Sequence, residues 1–114
     1  GVECGKQLFE MDEPPTAVFC GNDEMAVGVY KAAREAGARI PEDISVIGFD
    51  DSPIAERIWP TLTSVRLPIE HMGRIAAQLL VSNHDRMAME PPRAVSVMPS
   101  LVIRDSTGAP PGDG

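Results

Sequence analysis

Short apolar runs alternate along this chain with longer stretches in which apolar residues return every three or four positions. The run Ile44-Ser45-Val46-Ile47-Gly48-Phe49 ends abruptly in Asp50 and Asp51, and Ser52-Pro53 then gives a helix-start signal. A buried parallel strand delivers polar groups to its carboxyl end in this way. One strand–helix unit earlier, Ala17-Val18-Phe19-Cys20 runs into Gly21-Asn22-Asp23 and repeats the pattern. Two neighbouring strand ends would then present Asn22, Asp23, Asp50 and Asp51 close together.

The remaining periodicities place the helices. Residues 1–9 read as a helix already under way, with Cys4, Leu8 and Phe9 as its stripe, so a preceding segment is expected. Pro14-Pro15 breaks the chain before the first strand. A helix is expected over 24–36, with Met25, Val29, Ala32, Ala33 and Ala36 on one face and Gly37 at its C′ position. Ala26, Val27 and Tyr30 form a second stripe, more than one sheet-facing side needs, and therefore a candidate partner face. Ser52 as N-cap and Pro53 at N1 open a short helix to Ile58. Trp59-Pro60 ends it, and Thr61–Leu67 reads as a third strand. Pro68 opens a helix over 69–81, followed by a polar loop from Asn83 to Arg93. Val95–Met98 and Leu101–Arg104 read as two short strands, and residues 107–114 as a frayed tail. Strand–helix repetition with right-handed crossovers predicts an α/β fold with a parallel sheet. Such sheets bind small molecules at the carboxyl ends of their strands.

Composition narrows the function classes. At 114 residues and a formal charge of -7 the chain is one small domain or part of a larger one, and its acidity makes it a poor nucleic-acid binder by itself. No apolar run is long enough to span a membrane, and no signal peptide is read at the start. Cys4 and Cys20 are too few for a disulfide scaffold. Cys20 reads as a small core hydrophobe, compatible with a reducing, cytoplasmic setting.

Asp50 is the strongest ligand candidate, because its carboxylate can accept hydrogen bonds from two adjacent hydroxyls; the alternative is a cap of the following turn. Asn22 offers both donor and acceptor, against an alternative role as helix cap. For Asp23 the cap reading leads, and Asp51 reads as local, bonding backbone N–H groups near Ser52. Close carboxylates also raise Mg²⁺ and phosphotransfer, but no lysine or hydroxyl at a third strand end completes that chemistry. Thr63, Ser64 and Arg66 either reach the cleft or sit in a hinge. Trp59 either walls a sugar site or plugs a sheet edge or interface. His71 and His84 stand alone, without metal-ligand spacing. No nucleophile elbow, P-loop or GxGxxG occurs, so neither catalysis nor a cofactor is called for.

The stretches Pro15–Gly28, Gly37–Asp51, Leu62-Thr63-Ser64-Val65-Arg66 and Leu101–Thr107 resemble, in collinear order, bacterial LacI/GalR-type transcriptional regulators. The resemblance implies a parallel-sheet, Rossmann-like lobe of a type I periplasmic-binding-protein-like fold, present as a C-terminal fragment. Residues 1–65 would belong to the C-terminal lobe of an effector domain. Residues 66–98 would cross to the N-terminal lobe, 99–106 would return, and 107–114 would be a tail. It implies effector contacts at Asn22 and Asp50, and a hinge at Val65, Arg66, Leu67 and Pro68. A homodimer face would use Val27, Tyr30, Ile54, Arg57 and Ile58. Ile69 stands where some members place an aromatic ring over a sugar. The implied partners are a small-molecule effector, in the first place a sugar, a second copy of the chain, and operator DNA through a helix-turn-helix absent here. The competing expectation is a periplasmic sugar-binding protein of transport, which shares the two-lobed fold.

Overall fold

A computed structural model of the chain describes residues 1–83 and 94–112. The elements run α1 (Val2–Phe9), β1 (Ala17–Phe19), α2 (Asp23–Ala36), β2 (Ser45–Phe49), α3 (Pro53–Arg57), β3 (Thr63–Arg66), α4 (Ile69–Asn83) and β4 (Ser100–Val102). The chain divides into two compact units. One holds residues up to Arg66 and resumes at Ser100; the other is Leu67–Pro99.

In the first unit the strands lie in the order β1-β2-β3-β4. Phe19 pairs with Ile47 and Phe49 with Val65 in parallel ladders, while β4 runs antiparallel along β3, with Leu101 opposite Val65. Residues 44–49 alternate buried and half-exposed positions; Val46 joins the core, and Gly48 lies against Asp23 of α2 and Leu62. The core joins Cys20, Ala26, Val29, Tyr30, Val46, Ala55 and Leu62. Gly37 ends α2 at a φ of 74°, a conformation that suits a residue without Cβ. The second apolar stripe of α2 divides differently from the expectation. Ala26 and Tyr30 belong to the core, and Val27 stays half-exposed. Helix α1 lies along α2, tied by a Lys6–Glu35 ion pair at 2.9 Å, so α2 buries one face against the sheet and another against α1.

In the second unit α4 carries Met72, Ile75, Ala76 and Leu79. With Val95 and Val97 they line a hollow of about 180 Å³. The strand expected over Val95–Met98 is not formed: these residues have no ladder partner among the described residues, and their alternation serves contact with α4 instead. The expected loop from Asn83 to Arg93 lies, beyond Asn83, outside the described residues, as does His84. No described helix is long and apolar enough to cross a membrane.

Candidate functional site at the carboxyl edge of the sheet

Because β1 and β2 are parallel with Phe19 opposite Ile47, Asn22 and Asp50 each come three residues after that pair, at the same sheet edge. Asn22 is the N-cap of α2, and its Oδ1 accepts the Met25 N–H at 2.8 Å. The cap reading therefore holds for that oxygen, while the amide nitrogen has no hydrogen bond among the described residues. Asp50 is exposed, and its carboxylate likewise has no partner among them. Its N–H donates to the Val65 carbonyl at 2.9 Å, which keeps the β2–β3 ladder running one residue beyond the strand.

Asp23 does not cap the helix. It is 1% exposed and forms the hub of the edge. Its Oδ2 accepts the Ser52 N–H at 2.6 Å and the Ser52 hydroxyl at 2.9 Å, and its Oδ1 accepts the Ser64 hydroxyl at 2.6 Å. Ser52 occupies the N-cap position of α3 but makes no side-chain cap bond. Its hydroxyl goes to the carboxylate, the stronger acceptor. Gly48 makes room for this: a Cβ there would stand 2.2 Å from Asp23 Oδ1. Ser64 is therefore neither at the cleft nor in a hinge; it is a buried strut between β3 and α2.

Asp51 also departs from expectation. Its side chain is 3% exposed, and it serves no backbone N–H near Ser52. Oδ2 accepts Arg66 Nε at 2.6 Å and Oδ1 accepts Arg104 Nη1 at 2.6 Å. Burial on its own would raise this carboxyl. The hydrogen bonds from Arg104 and Arg66, with their charges, outweigh it and hold the group below the usual aspartate range. Arg104 also donates to the Leu62 carbonyl at 2.9 Å and to Glu56 at 3.3 Å. Ser106, fully buried, donates to the Val46 carbonyl at 2.6 Å and accepts the Thr63 N–H at 2.8 Å, stitching β2 to β3.

The buried polar residues Asp23, Ser64 and Ser106, and the pairing of Asp51 with Arg104, were not foreseen. The available signal was the polar pair Thr63-Ser64 inside a strand opposite a glycine, which leaves space for a carboxylate between the sheet and α2. Arg66 is 54% exposed along its side chain and points to Asp51. Trp59 plugs no sheet edge. It is 82% exposed beside a hollow of about 470 Å³ that Val27, Tyr30, Ile58 and Pro60 also line. Tyr30 donates its hydroxyl to the Pro60 carbonyl at 3.0 Å, and burial pushes that phenol up to about 12. Ile54 and Ile58 are half-exposed and Arg57 is exposed. At the unit boundary Val65 is half-exposed in β3, and Leu67 and Pro68 follow it. His71 is exposed on α4. No group of three or more metal-ligating side chains occurs among the described residues.

An edge that offers an unengaged amide and carboxylate above a rigid polar floor can hold hydroxyl groups by paired donor and acceptor contacts. Residues 1–107 match the family model for the periplasmic binding protein-like domain. The probable HTH-type transcriptional repressor ExuR of Bacillus subtilis is 45% identical over 82 residues, covering 72% of this chain and 25% of that protein. A solved regulatory protein of the LacI family from Chloroflexus aggregans superposes with a TM-score of 0.81 at 39% identity, covering 93% of this chain and 38% of that one. A LacI family transcriptional regulator from Lactobacillus casei, solved with bound sucrose, gives a TM-score of 0.75 at 34% identity and covers 92% of this chain and 38% of that one; it has also been solved with bound glucose. The chain thus spans about a quarter of the curated relative's length and two-fifths of the solved ones. The mostly parallel α/β sheet and the collinear match place it: the chain belongs to the periplasmic-binding-protein-like domain family, in the branch of LacI/GalR-type transcriptional regulators.

Proposed function

We propose that this chain is the C-terminal part of the effector-binding domain of a cytoplasmic transcriptional regulator, and that its sheet edge takes a sugar through Asn22 and Asp50. The observation that carries this reading is the pairing of an exposed, unengaged carboxylate at Asp50 with the Asn22 amide at one edge. The sucrose- and glucose-bound Lactobacillus casei structures support the ligand class. The regulator names of the relatives favour it over a transport protein. Operator DNA would be read by a helix-turn-helix in the full-length protein.

Residues 1–65 would form part of the C-terminal lobe. Residues 66–98 would serve the N-terminal lobe, 99–106 would return, and Val65, Arg66, Leu67 and Pro68 would act as a hinge. The division of the chain between Arg66 and Leu67, and again between Pro99 and Ser100, supports this partition. A homodimer would use Val27, Ile54, Arg57 and Ile58 with the edge of Tyr30. The apolar hollow beside the exposed Trp59 supports that face. Effector binding would shift the balance between lobe arrangements, and the dimer would pass that bias to the DNA-binding heads.

Calorimetric titration of the full-length protein with sucrose, glucose and a wider panel of sugars and nucleosides tests the pocket. Saturable binding that Asp50→Ala abolishes is expected. No saturable binding by any of them, with Asp50→Ala indistinguishable from wild type, overturns the assignment.

A further inference from the structure

Asp50 and Asp51 have φ angles of 97° and 51°, in the left-handed region that residues with a Cβ avoid. Two consecutive residues stay there only if their surroundings determine it. Those surroundings are explicit. The Asp50 N–H is held by Val65 O at 2.9 Å, the Asp51 N–H by Ser64 Oγ at 3.0 Å, and the Ser52 N–H by Asp23 Oδ2 at 2.6 Å. The Asp51 carboxylate is locked between Arg66 and Arg104, each at 2.6 Å. The Arg104 side chain is 12% exposed and is itself fixed by the Leu62 carbonyl. Three segments far apart in sequence thus converge on the residue after Asp50. They are the β2–α3 loop, the end of β3 and the segment following β4.

We propose that the Asp51–Arg104 pair is a positioning device that holds the Asp50 backbone in its left-handed turn and so sets effector affinity without touching the effector. This rests on the pocket reading above. A carboxylate so buried keeps its place only while its guanidinium partners do, so weakening either partner frees the turn. Asp50 then spends part of its time in the commoner backbone regions, and its carboxylate leaves the edge.

The test is made on the full-length protein, with sucrose and glucose as probes and amide exchange of residues 50–52 as a second readout. Asp51→Asn keeps the shape and removes the charge. It is expected to weaken sugar binding about tenfold or more, and to speed exchange at 50–52 by a similar factor, while amides of α2 keep their protection. Arg104→Lys, which keeps one charge and loses the fork, should fall between wild type and Asp51→Asn in both readouts. Wild-type exchange in Asp51→Asn overturns the proposal, whatever the affinity does. Faster exchange with unchanged affinity overturns it too. If Asp50→Ala binds sugar like wild type, the pocket reading fails, and exchange alone then decides whether the pair orders the turn.

Discussion

At the scale of single residues, the edge depends on one missing methyl group. Asp23 sits under the β2–α3 loop because Gly48 leaves the space its carboxylate fills. Adding a Cβ at Gly48 pushes against Asp23 Oδ1 and against Leu62 Cδ2 at 2.9 Å, neither of which is the free end of a surface chain. Gly48→Ala should therefore cost about 1–3 kcal/mol of stability, as overpacking of a filled interior does. Chemical denaturation of the two proteins checks this. The displaced carboxylate would also loosen its hold on Ser52, so exchange of the Ser52 amide should rise with the loss of stability. A stability equal to wild type would mean that Asp23 has room to retreat.

At the scale of elements, Asn22 belongs to a helix and to the proposed pocket at once, and the two roles can be separated. Asn22→Ser keeps a side-chain oxygen for the Met25 N–H and removes the amide. Its stability should stay within about 0.5 kcal/mol of wild type, whereas Asn22→Ala should lose about 1 kcal/mol. Both should lose sugar binding if the amide is the contact. A serine variant that binds like wild type would leave Asn22 as a cap and nothing more. The same element shows what the sequence could and could not tell. Helix α2, its Gly37 terminus and the strand 44–49 were legible because apolar spacing, a C′ glycine and a β-branched run are local signals. The edge itself was legible as a set of polar residues after two strands. Asp50 was legible as the outward carboxylate, but the partners that hold Asp51 inward were not, since they come from 15 and 53 residues away. Asp51 read as a local cap, and only the positions of Arg66 and Arg104 show where its carboxylate goes instead. Val95–Met98 misled for the opposite reason: its alternation is real but matches a helix, and a strand exists only where a neighbour completes its ladder.

At the scale of the whole molecule, the Asp51 ion cluster fastens the first unit across its sequence, and its charge state predicts how stability follows pH. The folded protein holds the Asp51 carboxyl below its ordinary value of 3.8. The unfolded chain therefore takes up this proton first as the pH falls. The stabilisation from Asp51 is fully present above about pH 4 and is lost as the pH drops from there through the folded value. Thermal melts of the full-length protein should thus show a gap between wild type and Asp51→Asn that is wide at neutral pH and narrows steadily below about pH 4. At the alkaline end the sign comes from Tyr30, whose ordinary value of 10.0 is raised by burial to about 12. The unfolded chain loses that proton first, so stability falls between these two values as the pH rises. Tyr30→Phe should remove that alkaline fall while forfeiting the bond to Pro60 at every pH. A wild-type to Asp51→Asn gap of constant width across the acid range would show that the two arginines stabilise the folded chain without discriminating the charged aspartate from its neutral counterpart. The fastening would then be one of shape alone.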